Sequence, residues 1–174
     1  DNGVFLLGND GAIWATFPPQ PEIYGQSFAF REYFQTTMAK GHGIIGEPYV
    51  SARTGEPVLT FTEILRDASG KKIGLVGCSL QLNSEKALGN IQSQKFGKSG
   101  YLYVYNKSRL MILHPNKDRI LKHDVPEGAN HLFDAGINGF EGVGETINSK
   151  NIPMLMAVVP VAGTDWLVAV QQPK

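Results

Sequence analysis

An internal repeat is the feature of this sequence that most restricts its possible folds. The segments Leu7–Pro18 and Val104–Pro115 share one pattern, in which an apolar run, a polar turn that opens with Asn, a second apolar run and a Pro follow each other. Three pairs of positions keep nearly the same spacing: Asn9 and Asn106 lie 97 residues apart, Pro57 and Pro153 lie 96 apart, and Ile73 and Trp166 lie 93 apart. A spacing maintained across three places indicates two copies of one module.

The composition is that of a folded protein without a strongly charged partner. Hydrophobic residues make up 42% of the 174 positions, which is enough for a packed core. The 16 Lys and Arg residues balance the 16 Asp and Glu residues, so the chain lacks the basic surface that nucleic-acid binding requires. Cys78 is the single cysteine, which excludes a disulfide framework and predicts a small buried side chain.

Targeting and membrane segments are absent from the sequence. No run approaches the roughly 20 apolar residues of a membrane-spanning helix. The chain opens at Asp1, with neither an initiator Met nor a signal peptide. We therefore expect a soluble piece of a larger protein.

The first copy is predicted to be an antiparallel unit with one helical insertion. Asn9-Asp10-Gly11 separates the apolar runs Val4–Leu7 and Ala12–Phe17, a pattern typical of a hairpin. Helical spacing of apolar residues predicts a helix over Phe28–Lys40. Three further strands are predicted over Glu47–Arg53, Val58–Leu65 and Lys72–Leu82. We assign residues 1–83 to this unit and residues 84–96 to a linking helix.

The second copy is assigned to residues 97–174. Its predicted strands are Tyr101–Tyr105, Leu110–Leu113, Gly142–Asn148, Met154–Val161 and Trp166–Gln171. The polar, weakly periodic segment Asn116–Phe140 predicts no regular element. Together the copies predict an α+β protein, in which each unit is an antiparallel sheet of about five strands with flanking helices.

Motifs for cofactors, metals and catalysis are incomplete in this chain. Gly41-His42-Gly43-Ile44-Ile45-Gly46 matches the dinucleotide-binding pattern in letters, but it follows a predicted helix and precedes a predicted strand, the reverse of the required order. The four histidines show no metal-ligand spacing. We therefore predict neither a cofactor nor a metal. A hydrolase that uses Cys78 or a histidine stays open as an alternative, although it would need a base beside the thiol.

A group of aromatic and polar side chains in the first copy is the best candidate for a binding site. Arg31 and Tyr33 lie near the start of the predicted helix, and alternation in the next strand places Tyr49, Ser51 and Arg53 on one face. The following strand adds Thr60 on one face and Phe61 on the other. A few convergent polar groups among aromatic rings are typical of a small-molecule pocket, although these aromatics could equally be core residues.

The chain resembles the double Cache sensor domains. The resemblance begins at Phe30-Arg31-Glu32-Tyr33-Phe34-Gln35, continues through Gly46–Ser51, Thr54–Val58 and Ile73–Gly77, and returns at Phe96–Tyr101 and His114-Pro115. It implies two tandem PAS-like units on a long leading helix that this chain lacks. It also implies that the first unit is membrane-distal and binds a small ligand, and that the second is membrane-proximal.

The resemblance also bears on the class of ligand. The amino-acid-binding branch of the family carries Arg-x-Trp-Tyr on the helix and an Asp near the end of the last distal strand. Arg31 matches the Arg, whereas Tyr33 and Phe34 replace the Trp and Tyr, and Ser79 stands in place of the Asp. A ligand ammonium without an acidic partner would be costly to bury. We expect Arg31 to hold a carboxylate or another anionic group of a small polar molecule, with Ser51, Thr60 and Ser79 as hydrogen-bonding groups and Tyr33, Tyr49 and Phe61 as walls.

The resulting functional hypothesis is a non-enzymatic, extracytoplasmic (periplasmic) sensing domain. It would belong to a membrane-anchored, homodimeric bacterial receptor of the inner membrane, a methyl-accepting chemotaxis protein. A sensor histidine kinase or a diguanylate cyclase is the alternative output. A structural spacer without a ligand is a further alternative, which a tightly filled first unit would favour.

Overall fold

The computed structural model describes residues 3–84, 91 and 93–174, and divides the chain into two compact units. The first unit spans Asp1–Leu82 and the second spans Asn83–Lys174. Each unit is built around its own antiparallel sheet. The predicted α+β class with two PAS-like units is confirmed.

The first unit is a five-stranded sheet covered on one face by a helix. Its strands are β1 (Gly3–Gly8), β2 (Ile13–Phe17), β3 (Tyr49–Val50), β4 (Pro57–Arg66) and β5 (Lys72–Gln81), and they lie in the order β2-β1-β5-β4-β3. Helix α1 (Glu32–Lys40) packs against β4 and β5. The core lies between helix and sheet, where Leu7, Ile13, Phe34 and Leu75 are buried.

The β1–β2 hairpin forms as its turn residues predict. The Asp10 carboxylate accepts a hydrogen bond from the backbone N–H of Ala12 at 3.0 Å, and Gly11 adopts a φ of 76°. An added Cβ on Gly11 would lie 2.6 Å from the backbone nitrogen of Ala29, so both conformation and space require glycine there. The turn thus fixes the start of the sheet from local chemistry.

The second unit repeats the topology of the first. Its strands are β6 (Lys95–Phe96), β7 (Gly100–Asn106), β8 (Met111–Leu113), β9 (Gly142–Ile147), β10 (Pro153–Pro160) and β11 (Trp166–Pro173). The path runs β6-β7-β11-β10-β9, and β8 also pairs with β7. Apart from the added β6, each strand has the neighbours that its counterpart in the first unit has. Pro57 opens β4 and Pro153 opens β10, as the repeat predicts.

A second helix, α2 (His131–Ile137), lies in the segment for which the sequence predicted no regular element. The Asn130 side chain caps it by accepting hydrogen bonds from the N–H groups of Leu132 and Phe133, both at 3.1 Å. Leu132 and Phe133 enter the core of the second unit. The helix has only seven residues, too few for a clear periodic signal, so its cap and its packing define it.

Some predicted boundaries change in the structure. Helix α1 begins at Glu32 rather than Phe28, and the predicted strand Glu47–Arg53 is reduced to Tyr49–Val50. Most of the predicted linking helix over residues 84–96 lies outside the described residues, and its last two positions, Lys95 and Phe96, form β6 instead. The short strand β3 lies at the sheet edge, where only one neighbour is available for pairing.

Candidate functional site

The first unit contains a cavity of about 340 Å³ between its sheet and the segments around α1. This volume is at the lower end of the range for small-molecule sites. The lining residues are Val4, Phe5, Ile13, Thr16, Pro18, Gln20, Glu22, Ile23, Gln26, Phe28, Arg31, Tyr33, Tyr49, Ser51, Ala52, Arg53 and Ser79. A cavity of this size argues against the tightly filled unit that a structural spacer would have.

Glycine on the central strand makes room for an aromatic ring beside the cavity. Gly77 on β5 pairs with Phe5 on β1, and a Cβ built on Gly77 would lie 2.1 Å from the Phe5 ring. The ring of Phe5 therefore lies over the backbone of Gly77 and packs against Tyr33, with ring centroids 5.7 Å apart. A larger residue at position 77 would displace the Phe5 ring.

Arg31 is half-buried at the N-cap of α1, a position that suits its charge poorly. Ser, Thr, Asp and Asn favour this position because their side chains accept hydrogen bonds from the first N–H groups of the helix, whereas the Arg31 side chain makes no capping bond. The helix dipole also disfavours a cation at this end. Residues that break a local structural rule are concentrated at functional sites.

The Arg31 guanidinium donates to no protein oxygen among the described residues, unlike several other arginines. Arg66 donates to the backbone oxygens of Gly41 and Gly70. Arg109 and Arg119 form ion pairs with Asp134 and Asp124. The hydrogen-bonding capacity of Arg31 is thus available to a bound anion.

Aromatic rings support Arg31 from the side of the cavity. Its guanidinium carbon lies 4.8 Å from the centroid of the Tyr49 ring, which is a cation–π distance. Tyr49 in turn stacks on Tyr33 at 5.9 Å between centroids. The pKa of Tyr33 is raised above its usual value of 10, first by burial and then by the neighbouring Tyr49 phenol. Tyr33 therefore stays neutral over the physiological range.

A chain of hydroxyl groups continues from Tyr49 toward the sheet. The Tyr49 and Thr60 hydroxyls are 3.2 Å apart, and the Thr60 and Ser79 hydroxyls are 2.9 Å apart. Thr60 and Ser79 pair directly across β4 and β5 and are both buried. Each hydroxyl can donate or accept, so the chain can adjust to either kind of group on a ligand.

The structure brings most of the residues predicted from the sequence to one place. Arg31, Tyr33, Tyr49, Ser51 and Ser79 line the cavity, and Thr60 is reached through its hydrogen bonds to two of them. Phe61 does not line it. Successive side chains of a strand point to opposite faces, so Phe61 on β4 points away from the face that carries Thr60 and is 38% exposed.

Several lining residues carry no signal that the sequence analysis could use. Gln20, Glu22 and Gln26 lie in the segment between β2 and α1, where no periodicity predicts their orientation. Among the described lining residues, Glu22 is the one that is acidic, and it is exposed. Arg53 adds a second basic side chain to Arg31. The charged residues in the described lining are thus two arginines and one glutamate.

Cys78 is exposed, which corrects the expectation of a buried thiol. Its register neighbours on the sheet are Val4 and Phe61, and neither can act as a base. The hydrolase alternative requires a base beside the thiol, and these positions do not supply it.

Within residues 3–84, 91 and 93–174, no group of three or more His, Cys, Asp or Glu side chains could hold a metal ion. None of the helices in these residues is long and apolar enough to cross a membrane.

A much smaller cavity borders the core of the second unit. This cavity of about 10 Å³ lies beside Tyr103, Asn148 and Gln171, about the volume that one water molecule needs. Arg119, which also contacts it, is paired with Asp124 through two hydrogen bonds of 2.5 and 2.8 Å. An internal carboxylate thus pairs with the arginine here, whereas Arg31 of the first unit has no carboxylate partner among the described residues.

Comparisons with known proteins identify the family and the fold. The family model described as "Cache domain" matches residues 1–174. The methyl-accepting chemotaxis protein PctB of Pseudomonas aeruginosa is 27% identical over 83% of this chain and 22% of its own length. McpB of Bacillus subtilis, also a methyl-accepting chemotaxis protein, is 27% identical over 63% of this chain and 16% of its own. The chain thus spans about a fifth of the length of these relatives.

Solved structures show the same fold. The ligand-binding domain of Pseudomonas aeruginosa PctB, in complex with L-Gln, superposes with a TM-score of 0.72 at 24% identity and covers 98% of this chain and 67% of that one. Because the family model covers the whole sequence, the chain belongs to the Cache domain family.

Proposed function

We propose that this Cache domain is the extracytoplasmic ligand-sensing part of a bacterial chemoreceptor, and that its first unit binds a small molecule through a carboxylate. The Arg31 guanidinium carries the proposal, because it lines the cavity and donates to no protein oxygen among the described residues. A planar guanidinium matches a carboxylate with two parallel hydrogen bonds.

The receptor context is supported by the relatives, which are methyl-accepting chemotaxis proteins. Under this proposal the first unit is membrane-distal, the second is membrane-proximal, and the full-length protein is a membrane-anchored homodimer. Ligand binding would bias two arrangements of the first unit, and the second unit would pass this bias toward the membrane. A chemotaxis output is favoured over a kinase or cyclase output because the matched relatives share it.

An amino acid is the second candidate ligand. Its affinity relative to that of a deaminated acid depends on how strongly the exposed Glu22 attracts the ammonium group. The structure of the relative PctB contains L-Gln, and Glu22 offers this chain a carboxylate for an ammonium group. Ion pairs at exposed positions contribute little because water screens them. A buried Asp would attract an ammonium much more strongly, but the buried Ser79 stands at the place where we expected that Asp. We therefore propose that deaminated acids bind better than α-amino acids.

Matched ligand pairs test this preference. Titration calorimetry would compare propionate with L-alanine and succinate with L-aspartate, after a thermal-shift screen of small carboxylates, amines and purines. We expect the deaminated member of a pair to bind roughly tenfold or more tightly, which corresponds to the loss of one charged hydrogen bond. Tighter binding of the amino acids, reversed by Glu22→Gln, would instead establish the second candidate.

Charge-matched variants test the role of Arg31. Arg31→Ala should abolish binding of an anionic ligand, and Arg31→Lys should restore it only in part because a lysine lacks the planar fork. Lys71→Ala removes the same charge from an exposed position of the same unit and should leave the affinity unchanged. An affinity that survives Arg31→Ala would refute the proposal.

A further inference from the structure

Phe30 is an aromatic residue that remains largely exposed although it lies beside the cavity. Its side chain is 66% exposed, whereas Phe28, two residues earlier, lines the cavity. The Phe28 and Phe30 rings stack at 6.1 Å between centroids, with 24° between their planes. Contact with Phe28 thus holds the Phe30 ring in place. Most of its apolar surface still faces water, which is energetically unfavourable.

The exposed ring contacts the guanidinium of the neighbouring Arg31. The guanidinium carbon of Arg31 lies 5.0 Å from the Phe30 centroid and 4.8 Å from the Tyr49 centroid. The series continues from Tyr49 to Tyr33. Arg31 therefore belongs to a run of contacting groups that leads from Phe28 and the exposed Phe30 to Tyr49 and Tyr33.

Two ring contacts restrict the guanidinium without using its N–H groups. A cation–π contact engages the charge through the ring face, so the in-plane donors remain free to bind an anion. An arginine side chain has many rotamers, and ordering it before binding removes part of the entropic cost of association. This matters at the N-cap of α1, where no capping hydrogen bond from the Arg31 side chain to the described residues fixes its position.

We propose that Phe30 is a positioning residue of the ligand site, which orders the Arg31 guanidinium so that its N–H groups meet a ligand carboxylate. The inference rests on the proposed function, because the anion is the one proposed there. It assigns a role to a residue outside the cavity lining, and it explains why an aromatic side chain stays exposed at this point of the surface.

Arginine NMR on the ligand-free protein tests the ordering step without any ligand. The order parameter of the Arg31 Nε–H group should fall in Phe30→Ala and in Phe30→Leu, which keeps apolar area but loses the ring face. Phe30→Tyr retains the ring and should keep the wild-type value. Phe61→Ala, which removes a partly exposed aromatic outside the cavity lining, serves as control and should also keep it. An unchanged Arg31 signal in Phe30→Ala would overturn the proposal.

Calorimetry with acetate, propionate, succinate and L-malate tests the consequence for binding. We expect Phe30→Ala and Phe30→Leu to weaken the binding of any of these acids roughly two- to fivefold, with little change in melting temperature because the residue is exposed. Phe30→Tyr should bind as the wild type does. A Phe30→Ala protein with a disordered Arg31 and an unchanged affinity would overturn the positioning role.

If the proposed function is wrong, these experiments give a different result from the one that refutes the positioning role. Wild-type protein that binds none of the four acids would refute the carboxylate site itself, and with it the ligand half of this inference. The NMR comparison would still decide whether Phe30 orders Arg31.

Discussion

At the scale of single residues, two threonines of the first unit show how the same side chain can cost or contribute stability. The Oγ1 atom of Thr16 is buried and has no hydrogen-bond partner among the described residues. The hydroxyl of Thr60 is also buried, but it is bonded to those of Tyr49 and Ser79. A buried polar group without a partner loses its hydrogen bonds to water, and no hydrogen bond within the protein compensates for that loss.

We predict opposite effects when each threonine is replaced by valine. Thr16→Val should raise the free energy of unfolding by about 1 kcal/mol, because it removes an unpaired buried hydroxyl. Thr60→Val should lower it by about 1–3 kcal/mol, because it breaks two hydrogen bonds and leaves their partners unsatisfied. Urea denaturation of the two variants beside the wild type measures both changes. A loss of stability in Thr16→Val would show that its hydroxyl has a partner after all, such as a bound water.

At the scale of elements, α2 depends on a single cap that also reaches the sheet. Asn130 accepts hydrogen bonds from the N–H groups of Leu132 and Phe133 and from the Thr146 hydroxyl at 2.7 Å. Its oxygen thus joins the start of α2 to β9. A seven-residue helix is marginal by itself, so this junction and the buried Leu132 and Phe133 hold it.

We therefore predict that Asn130→Ala destabilises the protein by about 1–2 kcal/mol, the usual cost of losing an N-cap. Asn130→Ser can still accept from the helix N–H groups and should recover part of that loss. Circular dichroism during urea unfolding measures the difference. Equal stability of the alanine variant and the wild type would mean that packing alone determines α2.

At the scale of the whole molecule, one histidine of the second unit should make the stability sensitive to acid. His114 is a buried histidine of the second unit, and its pKa is lowered from 6.5 to about 4, first by burial and then by the Arg119 guanidinium and Lys150. Asp124 and a hydrogen bond from the His114 ring to the backbone oxygen of Asn116 oppose this shift. The folded state therefore favours neutral His114, whereas the unfolded state takes up a proton below pH 6.5.

The consequence is a stability that falls as the pH falls. The contribution of His114 is fully present above about pH 6.5 and is lost progressively toward pH 4, by at most about 3 kcal/mol. His114→Gln should flatten the dependence of the melting temperature on pH between 6.5 and 4. His42→Gln, at an exposed position of the first unit, should leave the dependence as it is. A His114→Gln protein with the same acid sensitivity as the wild type would contradict this assignment.

The candidate site shows where prediction from the sequence reached its limit. Arg31, Tyr33, Tyr49 and Ser79 were predicted and do line the cavity. Phe61 was predicted with them but lies on the other face of β4, because only the packing of α1 determines which face of the sheet borders the cavity. Glu22 could not be predicted, since the short segment between β2 and α1 has no period that fixes side-chain direction.

The sequence by itself determined the features that depend on neighbours along the chain. The spacing of the repeat determined two like sheets, the Asn9-Asp10-Gly11 turn determined the first hairpin, and Pro57 and Pro153 marked the start of equivalent strands. The tertiary structure alone decided the short helix α2, the exposure of Cys78 and the composition of the cavity. The physical reason is the distance along the sequence between the residues that interact. Turns and strand periodicity arise from local backbone preferences. The burial of a side chain and the grouping of side chains around a cavity depend on residues that are distant in sequence and meet only in the folded chain.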